Sequence, residues 1–484
     1  MKKVNLTEWL SKGLNGDKDN PDGVGACQAL WNAEPTPNGL IQYEAPTAPF
    51  ELSEVVPHPQ LFAAANENLV IYNQAIHNAT TAWTSIGAAL TIYKPADYTA
   101  IGVLGTASGS IPSGNIWHFA DLGKGWFAYN ANCSLFRIPN VGIFCDSTRY
   151  ANTGSAWRGR LWQGGLSAFL ASSWLSTING YRTKSSTETI SLGDNWVWWS
   201  SVGYDDVLWM HFNWMLEDET FHRVLERHEF GFMQLPNPGK VLALRPLGDY
   251  MMAYGPQGID ALAMRDGKVS LLHLADFGIP YRGCVGGSEK EHLLISNEGF
   301  VWKIGADLKM THLDFSTVLA TRWALTSHTN IIYDDSRGDY YLGISGQALK
   351  FTPNGVTQIE KRLTGFVNYE GSRFAAWDYT NNDHKKFYLE TGVVRVDSFA
   401  NCIGVSIHAD DSSVISCKVY ARRNAGDSFY SESGTFDSAG VCRLSIPGRE
   451  FYVELSTSSG VYASVYKLEL MFADDAMFKI GELL

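Results

Sequence analysis

Residues 241–262 read VLALRPLGDYMMAYGPQGIDAL. An apolar run at 241–244 meets Gly248-Asp249, a second run fills 250–254, and Gly255-Pro256-Gln257-Gly258 leads into a third at 259–262. Apolar runs this short, bounded by Gly, Pro and Asp, read as strands, and Gly supplies the positive φ of tight reversals. The same pattern returns in residues 292–304, HLLISNEGFVWKI, and in residues 339–351, DYYLGISGQALKF. Their turn glycines, Gly258, Gly299 and Gly346, stand 41 and 47 residues apart. That is the period of a propeller blade, about 40–50 residues. One such unit cannot bury its own faces, so the units stack around an axis.

Upstream the pattern persists more faintly. Residues 61–65 and 69–72 flank Asn66-Glu67-Asn68, and residues 126–129 and 134–138 flank Asn130-Ala131-Asn132. From residue 60 to about 385 the period leaves room for roughly six or seven blades. A set of β-sandwiches is the competing reading. Within this span Phe221, Val224, Leu225 and His228 fall at helical spacing, which leaves a short helix and a strand insertion both open.

Downstream, residues 393–396, 404–407, 417–420, 443–446, 451–455 and 466–470 alternate apolar and polar with period two. Six strands of this kind fit a compact antiparallel sandwich. Residues 1–55 hold the turn-rich run from Asn15 to Gly23, then Pro35, Pro37, Pro46 and Pro49. Proline removes donors and restricts its neighbour, so this segment is extended. An arm lying on another surface and a loop packed on its own domain fit it equally. The expected organisation is all-β: an extended N-terminal arm over 1–55, a β-propeller over 56–388 and a β-sandwich over 389–484.

Composition agrees. Aromatic residues make up 13% of the 484 residues, Gly numbers 46, and charged residues are only 18%. Aromatics favour pleated surfaces, and a low charge content argues against disorder. The net charge of −12 speaks against general nucleic-acid binding, which needs a basic excess, yet suits a wall past which DNA slides. The seven cysteines, Cys27, Cys133, Cys145, Cys284, Cys402, Cys417 and Cys442, contain no CxxC pair, so no zinc site is expected. Buried free thiols are the expectation, with one disulfide open among Cys402, Cys417 and Cys442. No apolar core of signal-peptide length follows Met1-Lys2-Lys3, and no run of about 18 apolar residues occurs. The expectation is therefore synthesis in a cytoplasm, without a membrane anchor.

The sequence points to no catalytic, metal or cofactor residues. No GxSxG elbow, phosphate loop, HExxH or dinucleotide fingerprint occurs. His228-Glu229 lacks a second His four residues on, and the Gly-rich runs 102–105 and 283–287 suit turns. Asp205-Asp206, Glu217-Asp218-Glu219 and Asp334-Asp335 are adjacent carboxylates, which on a strand point to opposite faces. Asp17 to Gly23 is acidic but lacks the closing Glu of a calcium loop. Trp196, Trp198 and Trp199, with Trp209 and Trp214, read as core or interface, or else as a sugar-stacking platform.

The Pro-rich segment with Asn38-Gly39-Leu40 and Pro46-Thr47-Ala48-Pro49-Phe50, the propeller-like repeats, and a terminal sandwich closing on residues 466–470 together resemble the tail hub or nozzle proteins of short-tailed bacteriophages. The resemblance covers most of the chain in architecture. It implies a non-enzymatic virion protein, in a ring of commonly six copies, that prolongs the portal channel and retains packaged DNA. Its partners would be further copies of itself, the portal or adaptor, other tail proteins and the genomic DNA sliding through the lumen. The alternative expectation is a carbohydrate-binding or carbohydrate-active propeller.

Overall fold

The computed structural model describes residues 1–14, 25–43, 60–64, 67–71, 91–93, 100–103, 116–123, 125–131, 134–138, 142–146, 151–166, 194–200, 231–266, 268–313, 324–344, 347–359, 361–369, 372–379 and 386–473. Over these residues the regular secondary structure is almost entirely strand.

Six four-stranded antiparallel meanders follow one another. The first runs Gln60–Ala64, Glu67–Ile71, Thr91–Tyr93 and Ala100–Val103; the second His118–Asp121, Trp126–Tyr129, Ser134–Ile138 and Gly142–Asp146. The third holds Ala151–Trp157, Arg160–Leu166, Trp196–Trp199 and Gly231–Gln234; the fourth Ala243–Leu247, Tyr250–Tyr254, Ile259–Arg265 and Lys268–Ala275. The fifth holds Val285–Gly287, Glu291–Ile295, Val301–Gly305 and Met310–His312; the sixth Asn330–Asp334, Asp339–Ile344, Gln347–Phe351 and Val356–Ile359. The first strands of neighbouring blades lie side by side, as in the second against the third, the third against the fourth, and the fifth against the sixth. A two-stranded hairpin, Lys361–Tyr369 and Ser372–Tyr379, packs on the sixth blade and on the first strand of the first, closing the circuit in a seventh position. The array is a β-propeller, and the hairpins at Gly258 and Gly299 sit where the sequence put them. Strands also flank Gly346, which itself lies outside the described residues. Residues 220–230 lie outside them too.

The blades are held by apolar faces packed blade on blade. Leu244, Met251, Ala253 and Leu262 of the fourth blade face Trp162, Val197 and Trp199 of the third. Ala243, Leu247, Met252, Tyr254 and Ile259 face the opposite way, toward Val285, Leu293 and Leu294 of the fifth. The period-two alternation of a strand makes this two-sided burial possible.

The sixth blade does not end at its outer strand. Gln358 bridges in parallel to Trp31 of the strand Cys27–Trp31, which pairs with Tyr388–Thr391. The sheet continues through Val441–Ser456, Val394–Ala409 and Val465–Phe472 to the hairpin Gly39–Gln42 and Ala33–Thr36. Lys2–Asn5, Ser416–Arg422 and Tyr430–Thr435 join at the sides. These strands fold round the core of the antiparallel sandwich, with Val419, Phe451, Val453, Leu455, Leu468 and Leu470 fully covered. Residues 1–14 and 25–43 pack on this chain itself. Leu6, Trp9 and Leu10, on and beside the helix Thr7–Lys12, enter the sandwich core, and Leu14 enters the propeller core. Between them Gly13, at φ 66°, passes so close to Pro35 and Val356 that a Cβ there would lie 2.6 Å from both.

Candidate functional site

The chemically unusual part of the molecule is the propeller axis, where the first strands of blades two, three and four meet the segment entering blade five. Arg282, in that segment, is buried and crosses to the opposite blades. Its Nε donates to the Ile116 carbonyl at 3.0 Å, Nη2 to the Tyr129 carbonyl at 2.7 Å, and Nη1 to Asn152. Guanidinium nitrogens thus tie two strands, Trp126–Tyr129 and Ala151–Trp157, to the segment that enters blade two, all through backbone oxygens. The close approach is possible because Gly283 follows: a Cβ there would meet the Thr329 carbonyl at 2.0 Å.

Two imidazoles flank this centre. His118 Nε2 faces the Arg282 carbonyl at 3.2 Å and Nδ1 faces Thr153 Oγ1 at 2.6 Å. A carbonyl only accepts, so Nε2 carries the proton and Nδ1 accepts from the Thr153 hydroxyl. His292 repeats the pattern, with Nε2 donating to the Pro246 carbonyl at 3.1 Å and Nδ1 accepting from the Tyr254 hydroxyl at 2.8 Å. Burial, aided by the Arg245 charge, lowers His292 to about 3. Burial lowers His118 well below the ordinary imidazole value, and the charges of Arg282 and Arg245 add to it. Both rings are neutral hydrogen-bonding pieces, not proton shuttles.

Other clusters are closed on themselves. His273 Nδ1 meets Asp260 at 2.8 Å and Nε2 meets Asp276 at 2.9 Å. The hydrogen bond to Asp260 leads in raising its pKa, and neither nitrogen is left to take a proton from a nucleophile. On the outer face of the sandwich, Tyr420 and Tyr452 stack at 4.3 Å, Phe429 stands edge-on to Tyr452 at 4.9 Å, and Arg422 lies 4.6 Å from the Phe429 ring. The tyrosines face each other, so they present edges and not a flat platform.

Trp198 and Trp199 are both buried, Trp199 in the core shared by blades three and four and 5.3 Å from Trp162, so these two are core residues. Trp196 is half-buried beside Phe232 at 5.4 Å. Trp209, Trp214, Asp205, Asp206, Glu217, Asp218, Glu219, His228, Glu229 and residues 17–23 lie outside the described residues. Asp334 is buried and accepts from Ser336 in a turn, while Asp335 is exposed, so this pair does not converge. Cys27, Cys284, Cys402, Cys417 and Cys442 are all free and buried. No group of three or more His, Cys, Asp or Glu among the described residues is arranged to hold a metal ion. No motif in the sequence marks the axis. Its one visible signal is Arg245, a charge inside the otherwise apolar strand Ala243–Leu247.

No family model matches the chain, and no curated protein matches it. Among solved structures it is similar to U3-55K at 8% identity and TM-score 0.37, over 70% of this chain and 90% of that one. It is similar to the extracellular domain of BT4673 from B. thetaiotaomicron at 8% identity and TM-score 0.35, over 81% of this chain and 46% of that one. It is also similar to apo AztD from Citrobacter koseri at 9% identity and TM-score 0.31, over 77% and 96%. Likenesses this distant carry no argument about activity.

Proposed function

We propose that the protein is a structural subunit of a bacteriophage tail, a hub or nozzle protein that assembles with copies of itself into a ring below the portal. The observation that supports this reading is the shared sheet: blade six, the N-terminal strands and the sandwich are hydrogen-bonded in one continuous path. A propeller welded to a sandwich through backbone hydrogen bonds cannot hinge cheaply there, and rigidity is what a channel wall needs. Ring closure requires a heterologous interface, two different patches meeting. The last strand of blade four, Lys268–Ala275, supplies one candidate patch, an edge strand with Leu272 49% exposed. In this reading the protein has no catalytic role, and the net charge of −12 lets DNA pass the lumen without sticking.

The test is assembly. Purified protein, alone and mixed with the portal and adaptor of the same phage, is run by size exclusion with light scattering and imaged by electron microscopy. Rings that dock on the portal are expected. A persistent monomer that binds neither component sinks the reading.

A further inference from the structure

We propose that the propeller axis holds a small oxyanion, a phosphate or a carboxylate, on the guanidinium of Arg245. Arg245 lies on the first strand of blade four, and its register partner is Met252. It therefore points to the same side as Ala243 and Leu247, into the contact with blade five, where Tyr254 and His292 stand. The side chain is surrounded by protein yet keeps part of its surface open to solvent. Its Nε is sealed and has no hydrogen-bond partner, and no hydrogen bond or ion pair joins Arg245 to any described residue.

The neighbouring side chains offer Arg245 no acceptor. His292 and His118 each spend the proton-bearing nitrogen on a carbonyl and the other nitrogen on a hydroxyl. The Tyr254 hydroxyl donates to His292, and burial drives its own pKa up, so it brings no negative charge. No carboxylate of a described residue acts on Arg245, and the neutral Tyr254 hydroxyl leaves its charge unbalanced. Arg282 adds a second cation to the same centre. A guanidinium does not shed its proton, and an uncompensated buried charge is costly. A planar fork of N–H donors matches two oxygens of a carboxylate or phosphate, and the Nη atoms, unlike the sealed Nε, are the ones a ligand reaches. In a chain of net charge −12 this centre is a local positive well.

The full chain is titrated with inorganic phosphate, and separately with acetate, by calorimetry at constant ionic strength held with sodium chloride. One saturable site per chain is expected, and the preferred ligand tells phosphate from carboxylate. R245Q should weaken binding at least tenfold and abolish the rise in Tm that the anion gives the parent protein, with R245K intermediate. Should R245Q fail to fold, R245K carries the comparison. No saturable binding of either anion, or equal binding by parent and variant, overturns the proposal and leaves water as the partner of Arg245.

Discussion

Lys350 Nζ of the sixth blade meets Glu34 Oε1 of the N-terminal hairpin at 2.5 Å, across 316 positions of sequence. Lys350 is fully buried, Asp339 receives it at 2.9 Å, and the rings of Tyr43 and Tyr341 lie 5.5 and 5.6 Å from the ammonium. Arg337 completes the group, 3.3 Å from Glu34. This cluster is the electrostatic lock at the place where propeller and sandwich share a sheet.

Removing one member of such a lock strands the others. Lys350→Met leaves Glu34 and Asp339 buried with one cation fewer, and a loss of about 3–5 kcal/mol is expected. The double variant K350M/E34Q removes a charge of each sign and should recover part of that loss, which urea unfolding measures through the midpoint. If the double variant loses the sum of what K350M and E34Q each lose alone, the two residues are not coupled.

The two axial imidazoles set an acid limit. Both are neutral when folded, with pKa values below the ordinary imidazole value, so below about pH 6.5 the unfolded chain binds more protons than the folded one. Stability therefore falls as pH drops from there toward about 3, the native value of His292. The slope should approach about 1.4 kcal/mol per pH unit for each imidazole. His292→Gln removes one of the two contributions. A Tm that is flat from pH 6.5 to 4.5, or a slope unchanged in H292Q, counts against this account.

The repeat was legible because hairpin turns are local: Gly258 and Gly299 mark their reversals without reference to the rest of the chain. Strand ends and joins were less so. The expected strand at 241–244 is in fact Ala243–Leu247, with Pro246 inside it, and Pro is tolerated because the first strand of a blade is a sheet edge. Four of the expected sandwich strands are two long ones, Val394–Ala409 and Val441–Ser456. In the first, burial falls on even positions up to Gly404 and on odd ones from Val405; in the second the change comes between Glu450 and Phe451. Register shifts in their pairing absorb the change of phase, so a period-two scan reads each as two. The contact of Glu34 with Lys350 and the meeting at the axis of Arg282 with Asn152 depend on distant pairings, and no local pattern announces them.

The thiols offer a check on packing. Burial pushes Cys284 and Cys402 up to about 12 and Cys27 higher still, and Cys417 is raised by its hydrogen-bonded neighbour Cys442 together with burial. A thiolate is the reactive species, so a maleimide at pH 7 should leave these four unmodified in the native protein; Cys442, whose pKa the Cys417 hydrogen bond lowers, is shielded by its burial alone, and all five should label in denaturant. Mass spectrometry of the digested protein reads each site separately. Rapid native labelling of Cys417 or Cys442 contradicts the sandwich core as described.

The edge of blade four tests assembly apart from folding. Among the described residues Lys268–Ala275 pairs on one side only, with Ile259–Arg265, and its outer backbone groups have no strand partner there. Most natural edges are short or charged, because an open apolar edge recruits further strands. Here eight residues run with Leu272 half in solvent, which suits an edge reserved for another copy of this chain. Leu272→Glu places a charge in that contact while touching nothing in the blade core, so Tm should change by little. Assembly should weaken by at least tenfold in sedimentation or light scattering. An L272E variant that forms the same oligomer at the same concentration as the parent removes this strand from the interface.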